Sequence, residues 1–180
     1  MSLNLSNIKK ISGRSGLSIK RIRRRSDMAI IWQAEQYIYQ SGALLSGVSL
    51  DGFSNTGSTL YRNIEADRYD DGNPVGWYSE ETGWAIISGI DMTDYSKMDI
   101  NLTYDCAVGH GDAYFQYGID SASTSVSGNS GGAVKTFTLD ISSLSGTHAL
   151  QFYLYARNES SEPTWGASVT LNISSIRLYN

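Results

Sequence analysis

Between Lys97 and Cys106 the chain reads KMDINLTYDC, in which Met98, Ile100, Leu102 and Tyr104 alternate with Asp99, Asn101, Thr103 and Asp105. An extended chain sends successive side chains to opposite faces. A period of two therefore gives a strand with one apolar face and one wet face, the signature of an antiparallel sheet packed on one side only. The pattern recurs in KTFTLDIS (Phe137, Leu139, Ile141) and in HALQFYLYA, where Leu150, Phe152 and Leu154 oppose Gln151, Tyr153 and Tyr155. It recurs again in SVTLNISSIRLYN, with Val169, Leu171 and Ile173 followed by Ile176 and Leu178. The parity changes between Ile173 and Ile176, which predicts a bulge at Ser174–Ser175. Further strands are expected near Thr59–Glu65, Trp84–Ile90 and Ala113–Ile119.

Between these runs lie DGFSNTGS, DRYDDGNP, SEETG, DMTDYS, AVGHGD, SASTSVSGNSGG, SSLSG and NESSEPT, dense in residues that suit turns. No helical period of 3.6 appears after residue 41. The chain holds 18 Gly and 12 Tyr but only 2 Pro among 180 residues, so tight turns and aromatic sheet surfaces are affordable. About eight strands at this spacing predict an all-β fold, an antiparallel jelly-roll β-sandwich over residues 41–180. At this size a core needs no disulfide or metal. The single cysteine, Cys106, can form no internal bridge and reads as a core residue.

Charge divides the chain. Residues 1–40 carry eight Lys/Arg against Asp27 and Glu35, a net +6, while residues 41–180 carry six against sixteen, a net -10. The basic cluster is IKRIRRRS, residues 19–26, with Lys20, Arg21, Arg23, Arg24 and Arg25. Residues 1–40 thus read as an extended basic N-terminal arm that works apart from the acidic body. The runs AIIW and QYIY within it suggest a small hairpin, or a short helix from Met28. Three roles fit a basic arm: nucleic-acid binding, a solvated tail, or docking on an acidic partner or another subunit. Nucleic acid fits least, because Trp32, Tyr37 and Tyr39 are the only rings nearby and the body is acidic. The interspersed Ile and Leu favour docking, with Trp32 joining the arginines and Lys20 in the contact. The Met1 end has no apolar run of signal-peptide length and nothing approaches a membrane span, so a chain made in a cytoplasm, with no membrane role, is expected.

Catalytic chemistry finds little support. His110 and His148 sit in turn-like contexts without a nucleophile or orienting acid in sight. Asp70, Asp71, Glu80 and Glu81 are loop-tip carboxylates on this reading, not a glycosidase pair. DRYDDG begins like a calcium loop, but Tyr69 and Tyr78 stand where ligands are needed. No zinc set or phosphate-binding glycine motif occurs, so neither metal nor cofactor is assigned and a non-enzymatic protein is expected. The aromatics are more suggestive. Trp77, Tyr78, Trp84 and Trp165 lie in or beside loops, where rings stack on sugars or cap a sandwich. Tyr153 and Tyr155 share one face and form either a flat platform or ordinary cross-strand pairs.

SGLSIKRIRRRSDMAIIWQ resembles the N-terminal portion of structural proteins from tailed phages of gut Firmicutes. The segments GIDMTDYSKMDINLTY, TLDISSLSGTHALQFYLYA and VTLNISSIRLYN resemble jelly-roll modules of such virion proteins, which are similar in turn to carbohydrate-binding domains. The resemblance implies a virion protein of capsid, collar or tail. Its arm would anchor on other virion proteins, its sandwich would display a surface for host glycans, and it would assemble as a homo-oligomer, most simply a trimer. The alternative is a carbohydrate-binding module associated with a cell-surface or secreted enzyme.

Overall fold

The computed structural model describes residues 21–23, 30–33, 35–66, 79–159 and 166–180. Two compact units divide the chain, Met1–Ala34 and Glu35–Asn180. In the first, β1 (Arg21–Arg23) and β2 (Ile30–Gln33) form a two-stranded antiparallel ribbon with Ile22 opposite Trp32. AIIW and QYIY do not pair with each other as expected: Ile30–Gln33 pairs with Arg21–Arg23, and Gln36–Gln40 belongs to a sheet of the second unit. Lys20, Arg24 and Arg25 lie outside the described residues.

The second unit runs β3 (Gln36–Gln40), β4 (Ala43–Leu44), β5 (Ser49–Asp51), β6 (Ser54–Asn55), β7 (Leu60–Ala66), β8 (Ser79–Asp91), β9 (Lys97–Val108), β10 (Gly111–Ile119), β11 (Thr124–Ser127), β12 (Lys135–Asp140), β13 (Thr147–Asn158) and β14 (Ala167–Tyr179). Among the described residues these make two antiparallel sheets. A five-stranded sheet has the order β11-β10-β13-β8-β5; a seven-stranded sheet has the order β12-β9-β14-β3-β4, with β7 added to β14 and β6 to β7. Strand β14 is long enough to hold two partners on one edge: Ala167–Ile173 pairs with β7, Ser175–Leu178 with β3. From β7 onward the chain crosses between the sheets at every connection except the β10–β11 hairpin, the connectivity of a jelly-roll sandwich.

The alternating residues meet between the sheets. Met98, Ile100, Leu102, Val169, Leu171, Ile173, Ile176 and Leu178 of the larger sheet are buried, as are Ala85, Ile87, Phe115, Leu150, Phe152 and Leu154 of the smaller. Each such Leu, Ile or Phe contributes about 1.5–3 kcal/mol by leaving water. Tyr104 and Phe137 face Phe115 and Tyr117 across the interior, with ring centroids 5.2–6.2 Å apart. The expected change of parity in β14 is present as a register shift between Ile173 and Ser175. A second bulge lies in β8, where Gly89 (φ 85°) is the extra residue opposite His148–Ala149. A β-carbon there would come within 2.5 Å of the Gly47 carbonyl oxygen, so glycine is required twice over.

Among the described residues, Asp99 is the buried charged group of the larger sheet. Asp99 is 5% exposed and accepts from Arg177 Nη2 (2.6 Å), Thr138 Oγ1 (2.7 Å) and Tyr179 Oη (3.0 Å). Arg177 also reaches Glu35 at 2.9 Å and lies over the Tyr179 ring. This cluster ties β9, β12, β14 and the start of the second unit together.

Candidate functional site

The outward-facing residues of β10, β13 and β8 stand in cross-strand rows. Asp112, Arg157 and Glu80 form one row, Tyr114, Tyr155 and Thr82 the next, and Gln116, Tyr153 and Trp84 the third. Gly118, Gln151 and Ile86 follow. Rows on one face are about 7 Å apart along a strand, and strands about 4.8 Å apart. The rings of the two middle rows therefore tile one continuous patch. Tyr114 stacks on Tyr155 with centroids 4.9 Å apart and planes 25° from parallel. Trp84 leans on Tyr153 at 5.0 Å and 50°, and is 51% exposed. A half-exposed tryptophan on a sheet face leaves apolar surface in water that a partner could cover.

Hydrogen-bonding groups border the rings. Tyr155 Oη donates to Glu80 Oε2 at 3.3 Å. Arg157 pairs with Asp112 and, at 3.2 Å, with Glu159. Burial of the Tyr153 and Tyr155 rings pushes both phenols above their usual range, with the Glu80 charge adding to it, so both stay neutral donors near neutral pH. Asp112 and Glu80 stand on opposite sides of Arg157 in the register, with Asp112 paired to Arg157 and Glu80 accepting from Tyr155, so the two carboxylates do not converge on a shared proton. At the other edge, Gln116 and Gln151 present amides that can donate and accept.

Of the aromatics singled out by sequence, Trp84 lies in this patch together with Tyr153 and Tyr155. Trp77, Tyr78 and Trp165 lie outside the described residues, as does DRYDDG. Tyr114 is the addition. Its outward direction follows from the alternation Ala113, Phe115, Tyr117 inward, but its stacking on Tyr155 depends on register. SEETG, read as a turn, is the first part of β8, so Glu80 stands on a strand beside the rings. Arg21, Arg23 and Trp32 lie in the β1–β2 ribbon.

His148, Asp120 and Cys106 are engaged structurally. His148 Nδ1 is 2.7 Å from Asp120 Oδ2, and its Nε2 is 3.2 Å from the Ser145 carbonyl oxygen. Both neighbours only accept, so the doubly protonated ring satisfies the pair best. The Asp120 hydrogen bond accordingly raises the His148 pKa; His148 and the Ala149 amide lower that of Asp120. Cys106 is a buried core residue, and that burial, with the nearby Asp105 charge, pushes its thiol up to about 11 and makes it a poor nucleophile. Among the described residues no group of three His, Cys, Asp or Glu could hold a metal ion, and no helix is long and apolar enough to cross a membrane.

No protein-family model matches the chain. No curated protein matches it either. Among solved structures, it is similar to the CBM22-1 xylan-binding domain of Paenibacillus barcinonensis Xyn10C, with 12% identity and a TM-score of 0.32 over 82% of this chain and 87% of that one. At that level the likeness carries neither ligand nor site residues over.

Proposed function

We propose that this is a non-enzymatic, carbohydrate-binding-module-like protein whose Trp84, Tyr153, Tyr155 and Tyr114 face binds a neutral glycan. The observation that carries the reading is the pair of ring contacts in adjacent rows, 4.9 and 5.0 Å, on a solvent-facing sheet. A pyranose offers an apolar C–H face and a rim of hydroxyls. Aromatic faces cover the first while amides, carboxylates and phenols satisfy the second. Glu80, Asp112 and Glu159 outnumber Arg157 at the border, which disfavours anionic polymers. Isothermal titration of the full chain with cellohexaose, xylohexaose and mannohexaose tests this. Binding to at least one is expected, and Tyr155→Ala should weaken it by about thirtyfold, the worth of one central aromatic anchor of about 2 kcal/mol. Absence of binding to all three, or unchanged affinity in the variant, refutes it.

A second reading concerns attachment. The charge split between residues 1–40 (+6) and 41–180 (-10) supports a separate docking segment, and we propose that it docks on other virion components while the sandwich displays the glycan-binding face. Protein mass spectrometry of purified particles tests it: stoichiometric amounts support a virion role, and absence from particles refutes it. Light scattering of the purified chain should then give a homo-oligomer, with a trimer favoured.

A further inference from the structure

A cleft of about 310 Å³ lies on the other sheet. Its floor is the outer face of β9 and β14, where Thr103 opposes Asn172 and Asp105 opposes Thr170 in successive rows. Its wall is the segment Asn129–Gly132 after β11. That wall is anchored, not draped. Cys106 N donates to Gly128 O at 2.8 Å, Ser130 N to Tyr104 O at 2.9 Å, and Tyr104 N to Ser130 Oγ at 3.2 Å, and Asp105 bridges Asn129. Ser130 is 5% exposed. Gly131 and Gly132 take positive φ, 62° and 75°, and leave the space above the floor open.

The chemistry of the lining is narrow. Asn129 Oδ1 accepts from Gly131 N at 3.0 Å, which leaves its amide hydrogens to donate elsewhere. The Thr170 hydroxyl donates to Asn63 Oδ1 at 2.8 Å and keeps its lone pairs. Thr103, Asp105 and Asn172 make no side-chain hydrogen bond or ion pair among the described residues. Donors and acceptors are thus interleaved within a few ångströms. Among the described residues Asp105 is the only charged one lining the cleft. Its negative charge, with no cation among those residues to offset it, disfavours phosphate, sulfate and uronate. One carboxylate is far from the six to eight oxygens that calcium takes. Among the described lining residues the one ring, Tyr104, packs inward on Phe115 and Phe137, and the exposed Tyr61 stands beside Asn172 on β7 without lining the cleft. The volume is at the lower end for ligand sites.

We propose that this cleft is a second binding site, specific for a single neutral sugar residue held by hydrogen bonds alone. It does not depend on the aromatic face being a glycan site. If both bind, one chain holds ligands on opposite sides of the sandwich and can bridge two strands of a polymer or gain avidity on one surface.

The test is a titration of the full, 15N-labelled chain with D-glucose, D-galactose, D-mannose and D-xylose, with sodium sulfate and calcium chloride run separately. At least one sugar should shift the Gly131 and Gly132 amides and the Asn129 and Asn172 side-chain amides saturably, and neither salt should. Asn172→Ala and the isosteric Thr103→Val should each weaken that response by about tenfold with the amide spectrum otherwise native. Trp84→Ala should leave it unchanged. No saturable shift from any sugar, saturation by calcium or sulfate instead, or loss of the response in Trp84→Ala overturns the proposal. A saturable response at the cleft, with no hexasaccharide binding at the aromatic rings, leaves the cleft standing and refutes the other site.

Discussion

Replacing Asp99 by Ala should be among the costliest polar substitutions in the chain. The carboxylate is 5% exposed and serves three donors from two other strands. Removing one member of a buried, hydrogen-bonded pair costs about 3–5 kcal/mol, because the other member is left desolvated. Arg177 keeps Glu35 and has 32% of its side chain in water, so part of the penalty is relieved. We expect about 2–3 kcal/mol, which for a domain of this size lowers Tm by about 5–10 °C. Asp99→Asn keeps the shape and should cost about half as much. Acid adds a second signature. Burial alone would raise the Asp99 pKa, but the hydrogen bonds from Arg177, Thr138 and Tyr179, with the charge of Arg177, outweigh it and hold it below its unfolded value of 3.8. The native state therefore binds fewer protons than the unfolded one between those values. This stability is present above 3.8 and lost as pH falls through the folded pKa, and Asp99→Asn should lack that limb. Thermal melts of the three proteins against pH decide it. A drop of less than about 2 °C for Asp99→Ala would mean that the cluster is solvated and that the packing argument is wrong.

Other expectations are briefer. His148 titrates the opposite way: its folded pKa lies above 6.5, so its clasp on Asp120 stabilises below 6.5 and fades as pH rises through the folded value. Melts of His148→Gln should diverge from wild type in mild acid and converge in mild alkali; a constant gap contradicts the ion pair. Gly89→Ala should cost about 1–3 kcal/mol in a denaturant titration, since both its φ and the Gly47 carbonyl forbid a side chain. Cys106, with its thiol at about 11, should react with a disulfide reagent only under denaturing conditions; rapid native labelling would contradict its burial.

The strands that alternate most regularly, β9, β13 and β14, were legible because their own side chains carry the in–out code. The bulge after Ile173 was legible for the same reason. Short strands were not: β4 and β6 are each two residues long and exist because neighbours supply partners, not because Ala43–Leu44 or Ser54–Asn55 prefer to be extended. The pairing of Gln36–Gln40 was misread because adjacent runs favour a local hairpin through cheap loop closure. Its partner, Ser175–Leu178, lies at the far end of the chain. The site shows the same division. Tyr153, Tyr155 and Trp84 could be named singly, but the row joining Tyr114 to Tyr155 is a fact of register. The cleft at Asn129–Gly132 sits in a stretch that reads only as loop.

The proposed function puts sugar on the aromatic face of the five-stranded sheet. The most direct measurement is the NMR response of the Trp84 indole and the Tyr114, Tyr153 and Tyr155 rings during titration with the neutral hexasaccharides. Saturable shifts at all four rings, sharing one dissociation constant with the calorimetric value, are predicted. Binding that leaves these rings unmoved while shifting another part of the chain would contradict it.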